Sequence, residues 1–204
     1  MPGRPAVFID RDGCLTEEVG YVNHPSRIRL LAGSAAAVRR LNTAGVPAVV
    51  ATNQSGIARG YFSAELLRLA NDEMVRQLAA ADARLDALYV CTHHPREGQP
   101  PHRASCECRK PRPGLLVKAA VELGLELTAS VMVGDKLSDV AAGHAAGAAG
   151  VLVLSGYGRG EWEYRAPEST IKPDHVAVDL LEAVDWALER LTRGGSRACG
   201  GRRP

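Results

Sequence analysis

The sequence predicts an α/β protein in three layers, with helices packed on both faces of a central parallel sheet. Three observations carry that reading. Short, nearly continuous apolar runs alternate with longer stretches of helical period along most of the chain. Those runs lack the polar–apolar alternation of a half-solvated sheet, so both of their faces are buried, as in parallel sheets covered by crossover helices. The chain has 204 residues, 46% hydrophobic and 24% charged, a size and balance that suit one globular domain.

Residues 6–9 form the first strand. A helix over 34–44 opens at Gly33-Ser34 and stops at Gly45. Residues 47–52 are the second strand, 63–81 a helix with Ser63 as N-cap, and 87–91 the third strand. Residues 92–111 are a loop rich in proline and histidine, followed by a helix over 113–123 with proline in its first turn. The fourth strand is 130–133, a helix covers 138–146, and the fifth strand is 151–154. A last helix over 179–191 completes a single domain, 1–191, and leaves 192–204 as a disordered tail. No segment is long enough for a large cap domain. In such sheets ligands bind at the carboxyl ends of the strands, so functional residues are expected just after strands.

A net charge of +2 is too small for a nucleic-acid footprint. No apolar run reaches the roughly 18–20 residues that span a bilayer. No signal peptide is read at the N-terminus, which places the protein in the cytoplasm, where thiols stay reduced. With no apolar helix stripe left over, a monomer without nucleic-acid or membrane partners is expected. The five cysteines are Cys14, Cys91, Cys106, Cys108 and Cys199. An odd count with three in one region points to a metal site and away from a disulfide framework.

Four polar clusters fall at predicted strand ends. Asp10-Arg11-Asp12-Gly13 follows the first strand and Thr52-Asn53-Gln54-Ser55-Gly56 the second. Arg109-Lys110 closes the loop after the third, and Gly134-Asp135-Lys136, with Asp139 beyond, follows the fourth. Singly, each has an ordinary reading as an Asx turn or a polar loop. In order, they suit phosphoryl transfer through a covalent aspartyl phosphate. Asp10 can be the carboxylate nucleophile, and Asp12 can protonate the leaving oxygen and then activate water. Asp10, Asp12 and Asp135 offer the hard oxygen ligands that Mg²⁺ takes, and the metal offsets repulsion between nucleophile and phosphate. The Thr52 hydroxyl, backbone N–H groups and the Lys110 ammonium can hold the phosphoryl oxygens. Lysine occurs only at 110, 118, 136 and 172 in an arginine-rich chain, which favours a chemical role where it occurs.

Cys91-x-His93, then Cys106-x-Cys108, supplies the four ligands of a closed, structural Zn²⁺ site. A loop of this length without structure of its own needs an ordering element, and a metal clip would pin Arg109 and Lys110. His94 and His102 are rival ligands to His93.

With D-x-D-G, a threonine, a lysine and G-D-x-x-x-D in this order, the sequence resembles the haloacid-dehalogenase-like phosphatases. The resemblance implies their Rossmann-like fold, Asp10 as nucleophile, Asp12 as acid/base, and Thr52 and Lys110 as phosphate ligands. It implies Mg²⁺ held by Asp10, the Asp12 carbonyl and Asp135, with Asp139 in support. The zinc loop, Gly20-Tyr21-Val22 and the element over 52–62 are similar to the branch of that family acting on a heptose bisphosphate at C7, in nucleotide-activated heptose synthesis. That likeness implies substrate contacts from Arg11, Asn53, Gln54, Ser55, Arg109 and Lys136, and from a flap of Glu18, Val19, Gly20 and Tyr21. It implies a small phosphorylated sugar as substrate. Departures are Cys14 in place of a usual threonine, Thr92 in place of a proline, Glu18 in place of an aspartate, and an unmatched tail after Arg193. The alternatives are a histidinol-phosphate phosphatase and a zinc-stabilised, non-catalytic module that binds phospho-ligands.

Overall fold

The strands are apolar on both sides because they lie between two helical layers. The structure, a computed structural model, describes residues 3–198. Six parallel strands form one sheet: β1 (Val7–Ile9), β2 (Ala48–Asn53), β3 (Ala87–Cys91), β4 (Val131–Gly134), β5 (Ala149–Val153) and β6 (His175–Ala177). The helices are α1 (Ser34–Thr43), α2 (Ala64–Ala80), α3 (Gly114–Leu123), α4 (Leu137–Ala145), the single turn α5 (Gly158–Gly160) and α6 (Leu180–Ala198). A π-helical turn over Glu161–Arg165 continues α5. Successive strand residues point to opposite faces. Val7 and Ile9 therefore pack with Val38 and Leu41 of α1 and Val184 of α6, while Phe8 and Met132 pack on Leu115 and Leu116 of α3. Ser63 caps α2, its hydroxyl accepting from the Leu66 N–H at 3.1 Å, and Gly124 ends α3 in the left-handed region at φ 64°.

The strand order is β3-β2-β1-β4-β5-β6. The chain runs outward from β1 to β3 and then returns to lay β4 on the other side of β1. At such a switch point the connections leave in opposite directions and open a crevice at the carboxyl ends. Register sets Ile9 opposite both Val50 and Val133, which brings Asp10 to the middle of that crevice. Among the described residues, no further domain is inserted after β1 or β3, and no helix is long and apolar enough to cross a membrane.

The C-terminal third differs from the sequence expectation in its helical turns over 158–165, in β6 and in α6. β6 was not expected: it has three residues, sits at the sheet edge and is only partly buried, so it carries no apolar run. α6 continues past the expected stop at Leu191 to Ala198, which shortens the expected tail; residues 199–204 lie outside those described.

Candidate active site

Lys110 is 4% exposed and reaches the crevice from the loop before α3. Its Nζ lies 2.9 Å from Asp10 Oδ1 and 2.6 Å from Asp139 Oδ1, and it donates to the Ala51 carbonyl at 2.8 Å. Burial alone would lower the lysine pKa, but the two carboxylates hold it well above the usual value. Burial in turn pushes Asp10 up, and Lys110 outweighs it, so the Asp10 carboxyl sits below the ordinary range. The ammonium therefore keeps Asp10 ionised, the state a nucleophile needs.

Asp135 follows β4 and is fully buried. Burial pushes its carboxyl up to about 7, against the pull of Lys136. Carboxylate oxygens of Asp10, Asp135 and Asp139 all lie within 4.8 Å of one another. Asp10 Oδ1 and Asp135 Oδ1 are buried and face only ammonium groups, Lys110 at 2.9 Å and Lys136 at 3.3 Å, with no directed hydrogen bond to either. Asp139 is committed to Lys110 through one oxygen and to the Lys136 N–H through the other, at 3.1 Å. The open valence is thus on Asp10 and Asp135. Buried carboxylate oxygens held only by ammonium charges suit a hard divalent cation.

Several expected residues sit differently from their sequence assignment. The Asp12 carboxylate does not join the converging group. Its oxygens accept from Arg11 Nε at 3.0 Å and Nη2 at 2.8 Å, and from Gln54 Nε2 at 2.6 Å, so only its carbonyl is left to serve a metal at Asp10. Arg11 is 1% exposed, its guanidinium turned inward to Asp12 and to Asn71 of α2 at 3.0 Å, and its carbonyl accepts the Leu15 and Thr16 N–H groups at 2.9 and 2.8 Å. Asn53 uses both ends of its amide on the Lys110 peptide: Nδ2 donates to the carbonyl and Oδ1 accepts the N–H, each at 3.1 Å. Gln54 also donates to the Thr52 hydroxyl at 3.1 Å, and Ser55 lies beside it at the start of the loop. Arg109 Nη1 donates to the His93 carbonyl at 3.2 Å, joining the catalytic loop to the cysteine cluster.

The flap turns back through paired bridges, Asp12 to Thr16 and Thr16 to Leu30. Glu18 Oε1 accepts the Gly20 N–H at 2.6 Å, and Glu18 Oε2 lies 3.5 Å from Lys136 Nζ. Tyr21 packs edge-to-face on Tyr61, centroids 4.5 Å apart, with Val19 half-buried beneath. The loop after β5 was missed in the sequence, although it too follows a strand. Its Ser155 hydroxyl donates to the Gly13 carbonyl at 2.7 Å, and its Tyr157 N–H to Asp135 Oδ2 at 2.9 Å. Gly13 has φ 78°, and a Cβ there would lie 2.1 Å from Asp135 Oδ2, so glycine is required where the D-x-D-G turn meets that carboxylate.

Cys91, His93, Cys106 and Cys108 converge. Their sulfurs are 3.2 to 3.6 Å apart and His93 Nδ1 lies 3.3 Å from Cys108 Sγ and 3.7 Å from Cys91 Sγ. Around a tetrahedral Zn²⁺ with Zn–S near 2.3 Å, the sulfurs would be about 3.8 Å apart, so the donor set fits with small adjustments. The rivals are engaged elsewhere. His94 Nδ1 accepts the Glu97 N–H at 2.9 Å and its Nε2 faces Arg59 at 3.2 Å, while His102 Nδ1 meets the Thr92 hydroxyl at 3.0 Å. Cys14 is buried apart from this group, its sulfur toward the Val133 carbonyl at 3.9 Å.

A switch-point crevice with a buried lysine between two aspartates, beside a third carboxylate, defines a phosphoryl-transfer site of haloacid-dehalogenase-like type. The family model described as HAD-hydrolase-like matches residues 107–183. The D-glycero-D-manno-heptose-1,7-bisphosphate 7-phosphatase of Thermosynechococcus vestitus is 42% identical over 199 residues, 94% of this chain and 98% of that protein. The D-glycero-beta-D-manno-heptose-1,7-bisphosphate 7-phosphatase of Escherichia coli K12 is 42% identical over 92% of this chain and 90% of its own length. The crystal structure of the D,D-heptose 1,7-bisphosphate phosphatase from B. bronchiseptica, complexed with magnesium and phosphate, superposes with a TM-score of 0.80 at 34% identity, covering 91% of this chain and 98% of that one. The chain belongs to the heptose-bisphosphate phosphatase family of the haloacid-dehalogenase-like hydrolases, and is a phosphatase.

Asn53→Ala removes both hydrogen bonds that fix the Lys110 main chain. It is expected to lower stability by about 1–3 kcal/mol and to reduce kcat more than it raises KM. Urea denaturation and steady-state kinetics check both; an unchanged kcat would show that the amide does not position Lys110.

Proposed function

We propose that this chain removes the C7 phosphate of D-glycero-D-manno-heptose 1,7-bisphosphate, with Mg²⁺, through a phosphorylated Asp10. The observation that carries the chemistry is the buried Lys110 ammonium between Asp10 and Asp139. The substrate rests on the family and on the light cover of the site. The Asp10 carboxylate attacks phosphorus as the P–O bond to the sugar breaks, and Asp12 gives its proton to the leaving alkoxide. Asp12 then takes a proton from water as that water attacks the phosphorus, and Asp10 and inorganic phosphate are released. All the Asp12 partners in this structure are donors, so the acid step requires Asp12 to exchange one of them for its own proton. Thr52, Lys110 and Lys136 hold the phosphoryl oxygens, and Arg109 with the flap from Glu18 to Tyr21 orients the sugar.

Asp10, the Asp12 carbonyl and Asp135 would hold Mg²⁺, which supplies positive charge beside the transferred group. Cys91, His93, Cys106 and Cys108 would hold Zn²⁺ with no open position, a structural role. Three thiolates at one site suit a reducing compartment, and we read the enzyme as cytoplasmic.

Asp10→Asn is expected to abolish phosphate release at an unchanged melting temperature, because an amide is a poor nucleophile and a poor Mg²⁺ ligand. Asp12→Asn should still form the phosphoenzyme and then stall; near-native turnover of Asp10→Asn would end the aspartyl-phosphate reading. Protein purified without chelator is expected to carry one Zn²⁺ per chain by elemental analysis. Replacing Cys106 and Cys108 together with serine should lower the melting temperature, and a metal-free chain of full stability would refute the zinc site.

A site built to hydrogen-bond sugar hydroxyls rejects ligands that lack them, because its polar groups are left unpaired. Heptose 1,7-bisphosphate is therefore expected to exceed histidinol phosphate in kcat/KM by at least ~100-fold, equivalent to ~2.7 kcal/mol. The C1 phosphate should be retained, and Arg109→Ala should erode the preference. Comparable rates on the two substrates would move the assignment to the histidinol-phosphate relative.

A further inference from the structure

The ring of Tyr157 lies against the Lys136 ammonium, with Nζ 4.5 Å from its centroid. Tyr157 follows β5 in a loop that the main chain holds in place. Its own N–H donates to Asp135 and the Ser155 hydroxyl donates to the Gly13 carbonyl, and Gly156 at φ 55° packs on the same carboxylate. None of these bonds uses the phenol ring. The ring is 51% exposed, so burial does not account for its position. Lys136 is its charged neighbour.

The other partners of that ammonium are anionic, Asp135 Oδ1 at 3.3 Å and Glu18 Oε2 at 3.5 Å. A carboxylate holds a lysine by cancelling its charge. An aromatic face holds it through the ring quadrupole and leaves the positive charge free to attract an anion. Asp135 belongs to the converging carboxylates and Glu18 to the flap, so the ammonium has one anionic partner in each. We propose that Tyr157 is a positioning residue that seats Lys136 on the catalytic side, against the pull of Glu18, so that its charge meets the phosphoryl group. This rests on the reading of Lys136 as a phosphate contact given above.

The test is a double-mutant cycle on the intact enzyme, with inorganic phosphate as the probe and its inhibition constant, measured with Mg²⁺, as the readout. Tyr157→Leu is expected to weaken phosphate inhibition about five-fold, the size of a partly exposed cation–π contact. Tyr157→Phe, which keeps the ring and loses only the hydroxyl, should restore the parent value. In a Lys136→Met background Tyr157→Leu should have no further effect, because the ring acts through the ammonium. Equal melting temperatures exclude a merely structural effect. A Tyr157→Leu enzyme with parental inhibition, a Phe variant as weak as Leu, or additive losses in the Met background would each overturn the inference alone. A Lys136→Met enzyme with parental phosphate inhibition would overturn both the inference and the placement of Lys136 on which it stands.

Discussion

The Lys110 ammonium sits 2.9 Å from Asp10 and 2.6 Å from Asp139 with almost no access to water, and the rest of the crevice depends on it. Without that charge three carboxylates would lie within 4.8 Å of one another, a repulsion of about 3 kcal/mol per pair at the effective dielectric of a protein site. The lysine relieves part of that and fixes which oxygens remain available. Asp139 has both oxygens engaged, while Asp10 Oδ1 and Asp135 Oδ1 face ammonium groups without a directed hydrogen bond. A buried ion pair is weak evidence for stability, since desolvation offsets the Coulomb gain. Here its consequence is chemical, because it holds Asp10, the proposed nucleophile, ionised despite burial.

A lysine can do this only if its main chain is fixed, and Lys110 comes from a long loop. Three ties supply the fixation. Asn53 at the end of β2 grips the Lys110 peptide from both sides. Arg109 donates to the His93 carbonyl. The cysteine cluster gathers the two ends of the loop, since Cys91 ends β3 and Cys108 stands two residues before Lys110. The sheet provides the frame: β2 and β3 pair as far as Asn53 and Cys91, so the amide and the first thiol leave the sheet side by side.

Much of this was legible in the sequence, and what was not has a common cause. The first five strands announce themselves because burial on both faces demands unbroken apolar runs. The gathering of Asp10, Lys110 and Asp135 at the carboxyl ends of the strands is legible because crevices in such folds open there. Side-chain direction is not. Arg11 and Asn53 were placed on the substrate, yet Arg11 turns to Asn71 and Asn53 to Lys110, partners 60 and 57 residues away. No local pattern encodes contacts at that separation. The C-x-H spacing favours His93 over His94 and His102, and the fold adds that the other two are engaged elsewhere while His93 converges with the three cysteines. β6 was missed for a different reason, since a three-residue, half-buried edge strand has no room for a pattern.

The light cover of the crevice has its own physical logic. Tyr21 of the flap packs on Tyr61 and Phe62 of the loop after β2. That loop is tied through Arg59 to Glu97 at 2.6 Å and to His94 at 3.2 Å. Burial and the neighbouring arginine charges lower the His94 pKa, and because Nδ1 accepts the Glu97 N–H the neutral ring carries its proton on Nε2, which lies 3.7 Å from Glu97 Oε1. Gly98 completes the junction, because a Cβ there would come within 1.8 Å of the Ala58 carbonyl. The flap, the loop after β2 and the cysteine loop are therefore one connected surface, so a distortion at the cysteines reaches the flap through the loop after β2. An enzyme with a separate cap domain can close over its substrate by moving that domain. Here the groups proposed to contact substrate are already braced against each other, so on that reading selectivity comes from fixed polar partners more than from closure.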